Sequence, residues 1–135
     1  MKDLIEIRFS IETEIARYAA MRADAEDAEA LERLVDRMRE LVHDFDKFIV
    51  ADLEFHLRLA YIARNIICTT VIEALVIPLM VSFKETASVL DNTRSVREHA
   101  EIARSVKQNN AGEAKELMAR HLQHVESMLR EHGKL

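Results

Sequence analysis

The sequence predicts an all-α fold, an antiparallel bundle of about six helices, and three observations carry that prediction. The 135 residues include only two Gly and one Pro, too little turn chemistry for a succession of hairpins. Ala, Leu, Glu, Arg and Met, the good helix formers, are abundant. Apolar residues recur at spacings of three and four along most of the chain. A domain of this length buries about two-thirds of the surface its unfolded chain exposes, enough for a core without disulfides or structural metal. A metal here would serve function rather than folding.

Leu4, Ile11, Ile15 and Tyr18, with Ile7 at the edge, place a first helix over residues 2 to 22. Asp24 with Asp27 three residues on has the arrangement of a helix start, followed by the stripe Leu31, Leu34, Val35, Met38, Leu41 and Val42. This second helix ends near His43. Asp44 caps a third that runs to about Arg64, with Phe48, Ala51, Asp52, Phe55, His56, Leu59, Ala60 and Ala63 on one face. Asn65 marks its boundary. From Ile66 to Phe83 the chain is almost wholly apolar. Glu73, Pro78, Thr69, Thr70 and Ser82 interrupt the run and favour a buried helix over a membrane span, with Pro78 expected to kink or break it. Asp91 to Ser95 reads as a loop. Val96, His99, Ala100, Ala103 and Val106 then make a fifth stripe that ends at Asn109-Asn110. Asn110 with Glu113 opens a sixth helix carrying Ala114, Leu117, Met118, His121, Leu122, Val125 and Leu129.

Composition narrows the function. Lys+Arg number 19 and Asp+Glu 24, a formal charge of −5, and no Lys/Arg block is present, which argues against this chain holding nucleic acid by itself. The single cysteine, Cys68, excludes an internal disulfide framework and fits a reducing, cytoplasmic setting. The first residues show no signal-peptide pattern.

Three of the six histidines, His56, His99 and His121, fall on inward stripes of three different helices, where bundles build metal sites from facing side chains. Asp52 stands one turn before His56, so both side chains can reach one ion. An acid on an apolar face calls for a cation to keep it ionised. One Asp and three His form an oxygen and nitrogen set suited to zinc, nickel, iron or manganese. The residues alone also allow Asp52 and His56 to pair with each other while His99 and His121 are ordinary hydrogen-bonded core histidines. Arg8 lies toward the apolar side of the first helix, where its guanidinium either holds a carboxylate by two charge-assisted bonds or pairs with Glu12. His124, three residues from His121 on the same side of the sixth helix, reads as an edge histidine, with a substitute ligand or a group behind the ligands as the alternative, and His43 and His132 sit near helix ends. Glu54 and Glu98 adjoin the candidate ligands in sequence but point elsewhere at helical geometry.

The chain resembles the FCD domain, the effector-binding domain of the FadR subfamily of GntR-type bacterial transcription regulators. The resemblance covers nearly all residues. It rests on Ile5-Glu6-Ile7-Arg8 followed by Glu12 and Ala19-Ala20, Asp52-Leu53-Glu54-Phe55-His56, Asn65, Glu98-His99 with Ile102-Ala103, and Ala114 through His121-Leu122. It implies a bundle enclosing a pocket in which a divalent metal, zinc or nickel, is held by Asp52, His56, His99 and His121 and helps bind a small organic acid. It implies effector roles for Arg8 and Asn65, although a helix cap explains Asn65 equally well. It implies a homodimer, and operator DNA contacted only through a winged-helix domain lying outside these residues. The competing reading is a stand-alone metal-dependent hydrolase or other metal-binding helical protein. It is disfavoured because no phosphate loop or nucleophile elbow occurs, and only Glu40 and His43 have the Glu-x-x-His spacing of di-iron carboxylate sites.

Overall fold

Seven α-helices make up the computed structural model, which describes residues 1–135: α1 (Lys2–Arg22), α2 (Ala25–Glu40), α3 (Phe45–Ile62), α4 (Ile66–Ala74), α5 (Val76–Ala87), α6 (Asn92–Lys107) and α7 (Ala111–Glu131). Their starts follow from local chemistry. Asp24 and Asp27 form a reciprocal capping box at α2. Asp44, Asn65, Asp91 and Asn110 each accept a backbone N–H in the first turn of α3, α4, α6 and α7. Asn109, in the left-handed region at φ 54°, closes α6 and donates its amide to Ala20 O at 2.9 Å and Ala23 O at 3.1 Å. That side chain ties the α6–α7 turn to the end of α1.

The helix α1 packs on α7, α3 and α6, α2 covers α3 and α6, and α5 lies along α3. Between them Ile15, Leu31, Met38, Phe48, Phe55, Leu59, Ile102 and Met118 are fully buried. A smaller cluster of Ile5, Val125 and Leu129 closes the end where α1 begins, with Val89, Leu90 and Leu135 against it.

Three expectations need correction. The apolar run is two helices bent by 64°, not one, so the bundle has seven helices rather than six. The break falls at Leu75 rather than at Pro78, which occupies the third position of α5. There a missing N–H costs nothing, because the first turn of a helix has no acceptor for it. Asp91 to Ser95 is not a loop: only Asp91 stands outside α6, as its cap. Short polar residues favour turns and helix starts alike, and here they serve a helix start.

Candidate metal centre

The helix α3 presents Asp52 and His56 one turn apart, α6 presents His99, and α7 presents His121; all four are buried. One nitrogen from each of the three imidazoles lies within 4.8 Å of the others. His99 Nε2 stands 2.9 Å from Asp52 Oδ1 and 3.3 Å from His56 Nε2, and Asp52 Oδ1 is 3.3 Å from His56 Nε2. The four side chains predicted from spacing therefore meet.

The other ring nitrogen of each histidine is already committed. His56 Nδ1 is bonded to Glu12 Oε1, His99 Nδ1 donates to Ser95 O at 2.7 Å, and His121 Nδ1 donates to Glu98 Oε2 at 2.6 Å. A proton on each Nδ1 leaves the Nε2 lone pairs free, and an oriented outer-shell acceptor is how metal-binding imidazoles are fixed. Lone pairs of His56, His99 and Asp52 then face one another, an arrangement that repels itself unless a cation stands between them. Donors at 2.0 to 2.2 Å from a common ion are separated by roughly 3 to 3.5 Å. The observed spacings of 2.9 and 3.3 Å match, so these residues fit a metal ion.

The electrostatics agree. Burial would push the Asp52 carboxyl up, but His99 and His56 beside it hold it well below its usual range. Burial opposes a charge on His56, yet Glu12 and Asp52 on its two sides raise it to about 9. Glu12, buried but placed between Arg8 and His56, is lowered to about 2. His121 goes the other way: burial first, then the neighbouring His99 and His56, lower it to about 4 against the pull of Glu98. Positive charge is thus wanted at the Asp52 and His56 side of the cluster, whether a proton or an ion supplies it.

Arg8 is among the most buried side chains of the molecule. Its Nε donates to Glu12 Oε2 at 2.6 Å, Nη1 reaches Ser82 Oγ of α5 at 3.4 Å, and its guanidinium lies 4.8 Å from the ring centre of Phe83. Its Nη2 is buried without any partner. The pairing of Arg8 with Glu12 is the arrangement present, and one further donor of the same guanidinium has no partner. Asn65 is half-buried, and its side-chain oxygen accepts from Ile67 N at 3.0 Å and Cys68 N at 3.3 Å, the geometry of a cap.

Glu98 does not point elsewhere, and this corrects the reading from helical geometry. Besides His121 it accepts from Arg94 Nε at 3.1 Å, and its Oε1 lies 2.9 Å from His124 Nδ1 without hydrogen-bond geometry. The position is about 100° around α6 from His99, but a glutamate is long enough to cross to α7. Glu12 was also missed as a site residue; its signal was an acid four residues after Arg8 on the same inward stripe. Glu54 does face outward, 3.4 Å from Arg37. The enclosed pocket that the resemblance implies around Asp52, His56, His99 and His121 is not seen as a cavity. The cleft that reaches the cluster, of 280 Å³, is lined by Arg94, Arg97, Glu98, Glu101, Leu117, Arg120 and His121, and a larger one of 680 Å³ between α2 and α6 includes none of the predicted residues.

Comparison with known proteins agrees with this architecture. The family model described as FCD domain matches residues 3–124. The chain is 28% identical over 136 residues to the Uxu operon regulator of Haemophilus influenzae, covering 94% of this chain and 50% of that protein. It is 29% identical over 123 residues to the HTH-type transcriptional repressor NanR of Cronobacter sakazakii, covering 89% and 47%. A solved structure titled Streptococcus agalactiae GntR superposes with a TM-score of 0.76 at 28% identity, covering 95% of this chain and 57% of that one. The chain thus spans about half the length of the curated relatives it matches.

Proposed function

The chain belongs to the FCD domain family, and from that premise we propose that it is the effector-sensing part of a GntR-type, FadR-subfamily transcription regulator that binds a small organic acid at a divalent metal. The metal, zinc or nickel, is held by Asp52, His56, His99 and His121. Arg8 binds the effector carboxylate, and Asn65 is a further effector contact if its amide nitrogen is used while its oxygen caps α4. The protein is a cytoplasmic homodimer rather than an enzyme, and reaches operator DNA through a winged-helix domain outside these residues.

The observation that carries the proposal is the orphaned Nη2 of buried Arg8, in the same interior network as four converging lone-pair donors. Charge supplies the ligand class. In the inner network Arg8 stands against Glu12 and Asp52, a net of one negative charge; a divalent ion turns that into one positive charge. One carboxylate neutralises it, and the free Nη2 gives that carboxylate a charge-assisted donor. Bound metal would polarise the acid and offset its desolvation. The acids nearest the ligands, Glu12 and Glu98, are spent on orienting imidazoles, so neither is left to act as a hydrolytic base. Movement of Arg8 on effector binding would act on α1, which couples sensing to whatever precedes it, typically by about 1 to 3 kcal/mol.

The test is metal analysis of protein purified without a His-tag or nickel column, with a thermal-shift screen of small mono-, di- and tricarboxylates. One metal per chain is expected, with stabilisation near 2.7 kcal/mol at about a hundredfold excess of the right acid over its Kd. Arg8→Met should abolish the carboxylate response while metal remains bound, its affinity weakened only through Glu12. Protein without metal, or an unchanged carboxylate response in that variant, refutes the proposal.

A further inference from the structure

The helices α6 and α7 leave the turn at Asn109-Asn110 side by side, which brings Arg97 and Glu98 of one beside Arg120 and His121 of the other. Arg94 stands one turn before Glu98. The three arginines ring the cleft of 280 Å³ whose buried lining is Leu117 and His121. They are not equivalent. Arg94 is paired with Glu98 at 3.1 Å, whereas Arg97 and Arg120 make neither an ion pair nor a side-chain hydrogen bond. Glu101 lines the same cleft four residues after Arg97, a spacing that favours pairing, and still leaves Arg97 free. Elsewhere the arginines are bonded to an acid or a backbone carbonyl, Arg58 and Arg104 excepted. Arg104 lies in the adjoining cleft, which shares Arg97 and Glu101 with this one. Unpaired guanidiniums thus gather on one side of the molecule, although acids outnumber Lys and Arg by 24 to 19.

We propose that the cleft between α6 and α7 is a binding site for a small phosphate-type dianion, inorganic phosphate or the phosphate group of a monoester, held by Arg97 and Arg120 with Arg94 as the third donor. Charge gives the sign of the ligand. Three arginines face Glu98 and Glu101, and Glu98 is already spent on His121, so the lining is short of negative charge. Shape gives the class. One guanidinium fork saturates a planar carboxylate, whereas a tetrahedral phosphate offers oxygens in several directions and uses forks from two helices at once. The volume sits just below the roughly 300 to 1,000 Å³ of pockets for drug-sized ligands, which suits a small metabolite.

This site is separate from the one proposed for the effector carboxylate. There the donor is Arg8 of α1, set against Ser82 and Phe83 of α5, and no residue of α1 or α5 lines the cleft between α6 and α7. The inference therefore goes beyond the sensing proposal and does not depend on a metal being bound.

Isothermal titration of the chelator-treated whole chain with inorganic phosphate and, separately, glycerol 3-phosphate at fixed ionic strength tests this. Saturable binding of one phosphate group per chain is expected, and the tighter of the two probes identifies the source. Acetate should bind at least about 10-fold more weakly than that probe. Arg97→Gln and Arg120→Gln should each weaken binding about 10-fold or more, the loss of one charge-assisted donor, with helical content unchanged since both positions are exposed. Arg58→Gln on α3, exposed and equally unpaired, should not. Glu101→Gln removes a repelling charge and should tighten binding. No saturable binding of either probe, affinity unchanged in the Arg97 and Arg120 variants, or acetate bound as tightly as phosphate overturns the proposal. Arg8→Met separates the two readings. Phosphate binding that survives this change supports the site, and phosphate binding lost with Arg8 puts the anion in the interior and sinks it. Metal-free protein that binds phosphate through Arg97 and Arg120 sinks the sensing proposal alone, and metal-loaded protein that binds neither probe once stripped sinks this one alone.

Discussion

His56 and His121 sit in one cluster, both buried, each with Nδ1 tied to a glutamate, yet their proton affinities diverge. His56 has Glu12 on one side and Asp52 on the other, two buried carboxylates, and is raised to about 9. His121 has only Glu98, whose charge is shared with Arg94 and His124, and it faces two other imidazoles; it is lowered to about 4. The same hydrogen-bond motif thus gives opposite electrostatics, because what surrounds the acid decides how much of its charge the ring feels. One half of the cluster attracts positive charge, and the other offers a neutral donor that needs no proton removed before it binds an ion.

The largest expected effect breaks this asymmetry directly. In metal-stripped protein, His56→Ala leaves Glu12 and Asp52 without their shared partner and should cost about 3 to 5 kcal/mol in urea denaturation. His121→Ala removes a neutral ring and should cost less, about 1 to 3 kcal/mol. Equal losses would mean that the two histidines do not differ as described. Loaded protein should lose its metal in both variants.

The pH dependence follows with its sign. A histidine raised in the folded state stabilises fully below its unfolded value of about 6.5, and the His56 contribution is lost as pH rises through about 9. For His121, lowered to about 4, the unfolded chain takes up the proton first, so stability is lost as pH falls from 6.5 toward 4. Metal-stripped protein should therefore be most stable near pH 6.5, falling by up to about 3 kcal/mol on either side from these two groups. Metal-loaded protein should not lose stability on the alkaline side, because proton release strengthens ligation there. Melting curves from pH 4 to 9 with and without chelator decide it; matching alkaline slopes would count against a metal at this site.

Removing one outer-shell charge at a time sharpens the contrast. Glu12→Gln and Glu98→Gln should each weaken metal binding by about 10- to 100-fold in chelator competition. Glu12, fully buried and bonded to Arg8, should stand near the upper figure, and Glu98, partly exposed and shared, near the lower. The smallest effect is reserved for Arg94→Ala. Its side chain is half in water, so losing the pair with Glu98 should change stability by less than about 1 kcal/mol. A larger loss would show that Arg94 holds Glu98 in place for His121.

The contrast also shows what a sequence discloses of such a site. Asp52, His56, His99 and His121 were legible because each lies on an apolar stripe, and stripe membership is a local property. Glu98 was not, since its Cα lies off the stripe and only the length of its side chain, with α7 packed alongside, carries the carboxylate to His121. Glu12 was visible as a partner for Arg8, but its second bond, to His56 on α3, depends on how α1 crosses α3. The bend at Leu75 was missed for a related reason. A run apolar on every side has no stripe to interrupt, so Pro78 was the only local marker, and a proline in the first helical turn breaks nothing.

By itself the sequence determined the all-α class, most helix starts, and which side chains turn inward, because capping and periodicity are set by residues within four positions of one another. Only the tertiary structure decided which second ring nitrogen is held by which acceptor, that one nitrogen of Arg8 is left without a partner, and that Arg97 and Arg120 line one cleft. These depend on distances between helices far apart in the chain, and the packing of the whole bundle fixes those.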